Sequence, residues 1–462
     1  MGKYFGTDGI RGSAEIFTTE FLQSVAKGLL EYDKPQQHNE LKVLLGGDTR
    51  ESTEWIIRDL EAALETLGVE YGNVGVLSTP AINFAFYEMG YDYAIDVTAS
   101  HNTSEDNGLK IFERGDNYGV KLSDSGKKVI ENALDEGSGY GLMANELRED
   151  LHEDALERYL WHLRKYLNKT FPKNPNLVNE HAKVNFEGLK IGIDCANGAT
   201  SVVGGKIFEE YGAKTLVINS DDRYGHLINR NCGCLHIEEL QRVVKERKLD
   251  FGVAFDGDGD RCLMVDHLGQ VVDGDQIMAI LANYMNLDKM VATVMCNQGL
   301  IEWAKKHNVT LVTSNVGDQN VFEKMIKEDI RIGGEQSGHI ILPDEGMGDG
   351  MLTALMMARV ISAKKSSLSE LAARIPRFPQ IMANVPANKE QKMMLVENEA
   401  LKDLISEYED SLNSMNGRML VRPSGTEQLI RITMWGTNEK EIQSIMDEFV
   451  VKINKILKGA AA

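Results

Sequence analysis

The sequence is poor in cysteine and in positive charge, and it has no long hydrophobic run. Five cysteines are spread along 462 residues, an odd number that favours reduced thiols over a disulfide framework. Fifty lysines and arginines against seventy acidic residues give a net charge of -20, which argues against nonspecific binding to nucleic acid or to an anionic membrane. No N-terminal signal segment and no apolar run long enough to span a bilayer occur, so we expect a cytoplasmic protein.

Three common motifs are also missing. The phosphate-binding loop G-x-x-x-x-G-K-[ST] occurs nowhere in the chain. The serine of Thr98-Ala99-Ser100-His101-Asn102 lacks the flanking glycines of a hydrolase nucleophile elbow, and a triad base normally comes from a distant part of the chain. An EF-hand that began at Asp256 would need glycine at Arg261 and glutamate at His267. An acyl hydrolase is therefore disfavoured, and an EF-hand is excluded.

Segments typical of strands and helices alternate through most of the chain. The pattern starts with a strand at residues 42–45, continues to the strand before Ser100, and returns from Leu189 and from Gln276. The round that starts at Leu189 includes a helix predicted over 202–211. Such alternation predicts parallel, buried sheets with ligands bound beyond the carboxyl ends of the strands. The last part differs, because two strands around a polar loop and a closing amphipathic helix indicate a smaller α+β domain.

The length predicts three or four domains, and the pattern divides the chain into three α/β rounds and a smaller last part. We expect an α/β fold with three related mixed α/β domains and a smaller C-terminal α+β domain. Proline-containing stretches at 168–175 and 374–386 are the expected linkers. The expected domain boundaries are 1–165, 166–272, 273–375 and 376–462.

An acidic loop, Phe255-Asp256-Gly257-Asp258-Gly259-Asp260-Arg261, follows an apolar strand and carries a carboxylate at every second residue. Three like charges so close are costly unless a cation neutralises them, and hard oxygen ligands favour Mg²⁺ or Ca²⁺. Mg²⁺ with a phosphate as a further ligand fits this strand-end setting. The alternative is a solvated acidic turn.

A second loop, Val421-Arg422-Pro423-Ser424-Gly425-Thr426-Glu427, is followed closely by Arg431. Two hydroxyls, a glycine that allows close backbone approach, and guanidinium groups are the parts needed to bind a phosphate dianion. Taken alone, a hairpin turn with capping hydroxyls explains this loop as well.

Two further loops carry polar side chains among glycines. Residues 333–339 include Glu335, Ser337 and His339, a set suited to hydrogen bonding with a polyhydroxylated ligand. Residues 5–12 place Arg11 in a flexible loop. With a metal loop and a phosphate loop elsewhere, we interpret Ser100 as a hydroxyl that carries a phosphoryl group.

These five segments, in this order, resemble the α-D-phosphohexomutase superfamily across nearly the whole chain. Within it, FGTDGIRG at 5–12 and GGEQSGH at 333–339 are most similar to the bacterial phosphoglucosamine mutases. The resemblance implies four domains around a central cleft and interconversion of glucosamine 6-phosphate and glucosamine 1-phosphate. It also implies a phosphoserine that donates its phosphoryl group to give a 1,6-bisphosphate, which turns end for end and returns the other phosphate.

The resemblance assigns roles residue by residue. Ser100 is the implied phosphoserine, whose phosphate completes a site for one Mg²⁺ per chain. Arg261 is expected to spread the charge of the transferring phosphoryl group together with Mg²⁺. The other implied residues are Asp256, Asp258 and Asp260 as metal ligands, Arg11, Lys110 and His339 near the reacting hydroxyl, His101 positioning the serine loop, Glu335 and Ser337 on sugar hydroxyls, and Arg422, Ser424, Gly425, Thr426 and Arg431 on the phosphate that does not react.

The implied ligands are small-molecule sugar phosphates, with a hexose 1,6-bisphosphate as activator and intermediate. Neither nucleic acid nor membrane is an expected partner, and the expected assembly is a monomer or a homodimer. The nearest competing hypothesis is a phosphomannomutase/phosphoglucomutase with the same machinery. A noncatalytic sugar-phosphate-binding paralogue and a metal-dependent phosphatase are two more distant hypotheses.

The sequence departs from the superfamily pattern at a few positions. Thr103 and Gln428 stand where prolines are usual, and an arginine common in the superfamily is missing at Gln319. Thr103 is expected to loosen the serine loop without removing a reacting atom. Cys232 and Cys234 form a C-x-C beside a histidine, for which free loop thiols are favoured over a zinc site because no fourth ligand is evident.

Overall fold

The computed structural model describes residues 2–6, 8–34, 40–139, 141, 151–171, 184–221, 225–424 and 427–459. The chain divides into two compact units. The large unit contains residues 1–293 and 314–372, and the small unit contains residues 294–313 and 373–462. No helix within the described residues combines the length and the apolar character needed to cross a membrane.

The first α/β region holds a six-stranded mixed sheet. Its elements are β1 (Ile10–Ser13), α1 (Thr19–Asp33), β2 (Lys42–Gly47), α2 (Glu51–Thr66), β3 (Glu70–Val76), α3 (Thr79–Glu88), β4 (Tyr93–Val97), β5 (Asp106–Arg114), β6 (Gly119–Lys121), α4 (Asp124–Glu136) and α5 (His152–Leu167). Strands β3, β2 and β4 are parallel, as predicted. Strands β1, β5 and β6 extend the sheet in antiparallel fashion, which the alternation did not predict.

The second α/β region repeats this plan in a five-stranded sheet. Its elements are β7 (Lys190–Asp194), α6 (Lys206–Glu210), β8 (Lys214–Ile218), α7 (Glu238–Arg247), β9 (Phe251–Phe255), β10 (Cys262–Asp266) and β11 (Val271–Val272). Strands β8, β7 and β9 are parallel, and β10 and β11 are antiparallel. The helix predicted over 202–211 is shorter, because Gly204 with φ +49° and Gly205 separate a 3-10 turn at Ala199–Val202 from α6.

The third α/β region follows directly. Its elements are α8 (Gly274–Tyr284), β12 (Lys289–Thr293), α9 (Gln298–Lys306), β13 (Thr310–Ser314), α10 (Asp318–Glu328), β14 (Gly333–Gly334), β15 (Ile340–Ile341), α11 (Gly350–Lys364) and α12 (Leu368–Ala372). Strand β12 is parallel to β14, which pairs antiparallel with β15. Helix α9 and β13 up to residue 313 belong to the small unit.

The C-terminal region is the predicted α+β structure. Its elements are β16 (Gln380–Pro386), α13 (Lys389–Glu397), α14 (Glu399–Ser414), β17 (Arg418–Pro423), β18 (Leu429–Trp435) and α15 (Glu439–Gly459). The strands form an antiparallel sheet in the order β16-β18-β17. The apolar face of α15 is buried, including Phe449, whose ring lies edge-on to that of Tyr408. The predicted fold class is confirmed.

The parallel strands in the middle of the first two sheets explain where the polar loops lie. Strands β4 and β9 are buried along their whole length, as expected for apolar runs covered on both faces. The serine loop (residues 98–106) leaves the carboxyl end of β4, and the acidic loop (residues 256–261) leaves the carboxyl end of β9. Both loops therefore lie at the carboxyl ends of parallel strands, where α/β proteins bind their ligands.

Helices α5 and α11 of the large unit are joined by a buried hydrogen bond. The Tyr159 hydroxyl lies 3.0 Å from both carboxylate oxygens of Asp349, which also caps α11 by accepting from the Leu352 amide at 2.8 Å. Burial raises the pKa of Asp349 to about 6. The folded protein therefore binds a proton at Asp349 more tightly than the unfolded chain does.

Asp349→Asn should change how stability depends on pH. Because the folded pKa lies above the ordinary value, ionisation of Asp349 costs folding free energy as the pH rises from about 4 to about 6. Relative to the variant, the wild type should lose on the order of 1–3 kcal/mol over that range, measured from urea unfolding followed by circular dichroism. The exposed residue Asp288, replaced in Asp288→Asn, is the control. Parallel curves for wild type and Asp349→Asn would contradict the assignment.

Candidate active site

The serine loop places Ser100 in a buried and unusual backbone conformation. Ser100 is fully buried and has φ +52°, in the left-handed region that non-glycine residues seldom adopt. Its Oγ donates to Asp256 Oδ2 at 2.9 Å. A β-carbon added at Gly257 would lie 2.6 Å from the Ser100 carbonyl oxygen, so glycine allows the acidic loop to approach. The serine loop and the acidic loop therefore meet at Ser100.

The acidic loop gathers three buried carboxylates. One carboxylate oxygen from each of Asp256, Asp258 and Asp260 lies within 4.8 Å of the other two. One oxygen of Asp258 and one of Asp260 are buried without a hydrogen-bond partner in the part of the chain that the structure describes. Buried carboxylate oxygens that lack donors are costly unless a cation meets them. The donor set is therefore able to bind a metal ion, and hard oxygen ligands suit Mg²⁺.

Lys110 supplies a positive charge to the same loop. Its Nζ donates to Asp258 Oδ2 at 2.7 Å and to Asp260 Oδ2 at 3.1 Å, and it lies 3.4 Å from Asp8 Oδ2. Burial would lower the pKa of Lys110, but these carboxylates outweigh burial and raise its pKa well above the ordinary value. Lys110 is therefore a fixed cation, and its ammonium group binds the acidic loop.

Arg261 and His101 lie beside Ser100. The backbone amide of Arg261 donates to Asp256 Oδ1 at 3.1 Å, and the side-chain Nη1 of Arg261 lies 3.3 Å from His101 Nδ1. Burial, followed by the charges of Arg261 and Arg11, lowers the pKa of His101 to about 4. His101 is then neutral at neutral pH, with Nδ1 assigned as the acceptor of the Arg261 hydrogen bond. Ser100 Oγ also lies 3.3 Å from this nitrogen, which fits a positioning role for His101.

A chain of ion pairs leads from Arg11 to Asp318, which lies beside His339. Arg11 Nη2 binds Asp8 Oδ2 at 3.0 Å, and Lys121 binds both Asp8 and Asp318. His339 Nε2 lies 3.7 Å from Asp318 Oδ2. Both ring nitrogens of His339 are buried without a hydrogen-bond partner among the described residues. Asp8, Lys121 and Asp318 thus connect Arg11 with His339, two residues that the resemblance implies near the reacting hydroxyl.

The loop predicted to bind sugar hydroxyls lies in the same unit. Glu335 Oε1 accepts from the Gly317 amide at 3.0 Å, and Ser337 Oγ lies 3.5 Å from Glu335 Oε2. The Glu335 carboxylate also contributes to raising the pKa of Arg261, after Asp260 and Asp256, against the opposing effect of burial. Glu335 is therefore within electrostatic range of the acidic loop.

The predicted phosphate loop belongs to the small unit. Arg422 on β17 is directly opposite Arg431 on β18, and the Nε of each is buried without a partner in the described chain. Burial and the neighbouring charge of Arg431 lower the pKa of Arg422. The buried Ser424 accepts from the Glu427 amide at 3.2 Å. Two guanidinium groups held together suit an anion. Gly425 and Thr426 lie outside the described residues.

Sequence reasoning missed several residues that contact the site. The Thr79 hydroxyl lies 2.5 Å from Asp96 Oδ2 and 2.9 Å from Asp258 Oδ2. Burial raises the pKa of Asp96 well above the ordinary range, and a proton on Asp96 accounts for both contacts, since one hydroxyl carries one hydrogen. The sequence contained a signal for each of these two residues: Thr79 follows a strand end, and Asp96 is an acid inside an apolar strand.

In the small unit, sequence reasoning also missed Lys392, whose Nζ donates to the Ser424 carbonyl at 2.7 Å.

The C-x-C cysteines bind different partners. Cys234 Sγ donates to the Ala254 carbonyl at 3.1 Å, whereas Cys232 Sγ accepts from the Asn197 amide at 3.7 Å. Burial raises the pKa of Cys232 to about 12. Among the described residues, the three aspartates of the acidic loop are the only group of ligands placed to hold a metal. This favours the prediction of free loop thiols.

Four family descriptions match successive parts of the chain. They are phosphoglucomutase/phosphomannomutase alpha/beta/alpha domain I at residues 2–140, domain II at 164–269, domain III at 273–378, and the C-terminal domain at 382–452. A curated phosphoglucosamine mutase from Clostridium tetani is 37% identical to the chain. The similarity covers 99% of this chain and 100% of that protein. The chain belongs to the phosphoglucomutase/phosphomannomutase family. Other bacterial relatives named phosphoglucosamine mutase share 36–39% identity with this family member.

Solved structures of the phosphohexomutase fold also match. A phosphoglucomutase/phosphomannomutase family protein from Burkholderia thailandensis has a TM-score of 0.74 at 20% identity, over 98% of this chain and 97% of that one. An N-acetylphosphoglucosamine mutase from Aspergillus fumigatus, in complex with GlcNAc-6P and magnesium, has a TM-score of 0.65 at 16% identity, over 100% and 96%. At these identities the likeness concerns the fold of this phosphoglucomutase/phosphomannomutase family member.

Asp258→Asn should weaken metal binding. The change removes a negative charge from the triad, so the affinity for Mn²⁺, used as a probe, should fall about tenfold or more. Isothermal titration calorimetry of the purified protein would measure the dissociation constant. Asp403→Asn, at an exposed position of α14, is the matched control. An unchanged dissociation constant in Asp258→Asn would rule out the triad as the metal site.

Proposed function

We propose that the chain is a phosphoglucosamine mutase, which interconverts glucosamine 6-phosphate and glucosamine 1-phosphate. The observation that carries the proposal is the buried Ser100 hydroxyl, 2.9 Å from Asp256 within a three-carboxylate loop. The full-length similarity to curated relatives with this name supports the choice of sugar.

The three aspartates fit one Mg²⁺ ion per chain. Asp256, Asp258 and Asp260 would hold it, with an oxygen of the phosphate on Ser100 as a further ligand. When bound, the ion supplies Lewis-acid stabilisation of the charge on the transferring phosphoryl group. The partnerless oxygens of Asp258 and Asp260 support this assignment.

Ser100 carries the phosphoryl group in the proposed mechanism. The bond between phosphorus and Ser100 Oγ breaks as a sugar hydroxyl oxygen bonds to phosphorus. The proton that the sugar hydroxyl loses is balanced by the proton that the released Ser100 Oγ gains. Arg261 stabilises the transferring charge, while Arg11, Lys110 and His339 surround the receiving hydroxyl. The neutral His101 holds the serine loop. The resulting hexose 1,6-bisphosphate turns end for end, and its other phosphoryl group returns to Ser100.

The remaining residues would bind the sugar phosphate. Glu335 and Ser337 would accept and donate hydrogen bonds to sugar hydroxyls. Residues of the phosphate loop, with Arg431, would bind the phosphate that does not react. The opposite positions of Arg422 and Arg431, each with an Nε that lacks a partner among the described residues, support this role. We also propose that the chain forms four domains, at residues 1–165, 166–272, 273–375 and 376–462. The phosphate-binding set is Arg422, Ser424, Gly425, Thr426 and Arg431.

Ser100→Ala should abolish both phosphorylation and turnover. Purified wild type incubated with glucose 1,6-bisphosphate should gain one phosphoryl group by intact mass, and the variant should gain none because the accepting oxygen is absent. Mutase activity, followed by a coupled assay with glucosamine 6-phosphate, should fall to background. Ser104→Ala, in the same loop, is the matched control. Absence of a phosphorylated wild-type species would refute the phosphoserine mechanism.

A second candidate function is that of a phosphomannomutase/phosphoglucomutase, which the family descriptions favour. The same residues would serve it, so the choice depends on the sugar. Comparing kcat/KM for glucosamine, glucose and mannose phosphates decides between them. The proposed function requires the highest value for glucosamine phosphate, and a preference for mannose 1-phosphate would replace it. A sugar-phosphate-binding paralogue without activity would turn over none of the three.

A further inference from the structure

A single buried arginine holds the backbone of the serine loop. The guanidinium of Arg50 donates to four carbonyl oxygens, those of Ser100 at 3.0 Å, Asn102 at 2.8 Å, Asp106 at 2.9 Å, and Thr103. Arg50 is 2% exposed. These contacts use the planar fork of an arginine, which a lysine cannot reproduce.

The charge of Arg50 is balanced inside the same region. Its Nε binds Asp48 Oδ2 at 2.9 Å, and both side chains are fully buried. Asp48 Oδ2 also accepts from the Thr98 hydroxyl at 2.6 Å. Asp48 therefore fixes Arg50 and the start of the serine loop together.

A second residue, distant in sequence, reaches the same backbone. Asn229 Nδ2 donates to the Ser100 and Asn102 carbonyls, both at 2.8 Å. These are the two carbonyls that Arg50 Nη2 also binds. Asn229 itself has φ +57°, a conformation that asparagine tolerates better than most residues. The loop is thus held by residues from the first and the second α/β regions.

The hydrogen bonds from Arg50 and Asn229 to the serine loop explain how Ser100 keeps its backbone conformation. A non-glycine residue at positive φ persists only where its surroundings over-determine it. The carbonyl of Ser100 accepts from two side chains, and its amide donates to Thr98 Oγ1 at 2.9 Å. Both polar backbone groups of Ser100 are fixed, which sets the position of its β-carbon, from which Oγ donates to Asp256 Oδ2.

We infer that Arg50 and Asn229 are positioning residues that hold the Ser100 side chain in the geometry for phosphoryl transfer. The inference rests on the proposed function. Because the same Oγ must give a phosphoryl group to one end of the sugar and accept one from the other, it has to return to one place in both half-reactions. A displacement of about 1 Å at a reacting atom can cost about a hundredfold in rate.

Two conservative substitutions test whether the hydrogen bonds from Arg50 and Asn229 position Ser100. Asn229→Asp keeps the size and the backbone preference but replaces the donor with an oxygen. Arg50→Lys keeps the charge opposite Asp48 but cannot reach four carbonyls. The matched controls are Asn286→Asp, an exposed asparagine also at positive φ, and Arg242→Lys, an exposed arginine of α7.

Each variant should lower kcat for glucosamine 6-phosphate about 10- to 100-fold while KM changes less than about threefold, because no predicted sugar or phosphate contact is altered. Phosphorylation of Ser100 by glucose 1,6-bisphosphate, followed by intact mass, should slow by a similar factor. The combined variant should lose less than the product of the two single losses, because both residues bind the same carbonyls. The controls should match the wild type.

Asn229→Gly separates the side chain from the backbone. Glycine adopts the same φ without an amide group, so this variant should lose kcat as Asn229→Asp does. Wild-type kcat in Asn229→Gly, or a rise in KM equal to the loss of kcat with a lower unfolding midpoint, would overturn the inference. A wild type that glucose 1,6-bisphosphate cannot phosphorylate would instead contradict the proposed function, so the two failures are distinguishable.

Discussion

Three carboxylates buried at the end of one strand are the constraint on which the site depends. Like charges removed from water are unfavourable unless cations and donors surround them. In this structure Lys110 and the Arg261 amide provide part of that compensation, and the Ser100 hydroxyl provides another part. If any of these groups moved away, a buried carboxylate would lose a hydrogen bond or an ion pair. The acidic loop therefore holds the serine loop and β5 in place.

The antiparallel strands of the first sheet follow from the same requirement. A parallel neighbour of β4 would need a long crossover before it could return to the serine loop. Strand β5 turns back directly instead, and its register sets Lys110 opposite Asp96, close to the carboxyl end of β4. The lysine thereby reaches the acidic loop of the second sheet. The antiparallel strands β1 and β5, which the alternating pattern did not predict, carry the cations Arg11 and Lys110.

The sequence predicted what is encoded locally and missed what depends on long-range pairing. Strand-end loops carry their chemistry in consecutive residues, so the spacing of the acidic loop predicted a metal site, whereas the role of Ser100 was interpreted from the other loops and from the family resemblance. Asp8, Lys121 and Asp318 are far apart in the chain, and their ion pairs depend on a register that one sequence does not reveal. Arg50 and Asn229 were missed for a related reason, since their partners are backbone carbonyls that leave no mark in the sequence. The helix predicted over 202–211 is longer than the observed α6, because Gly204 and Gly205 interrupt the segment with helical periodicity.

Thr103 shows how such backbone contacts change the meaning of a substitution. Its place after Ser-His-Asn is usually occupied by proline, whose ring restricts φ and whose missing amide hydrogen leaves only the carbonyl for hydrogen bonding. In this chain the carbonyl of Thr103 accepts from Arg50 and from the Asp106 amide, contacts that any residue can make. The side chain of Thr103 is exposed and has no part in them. The loop is thus restrained through its carbonyl groups, so the expected loosening does not follow from the loss of the proline ring.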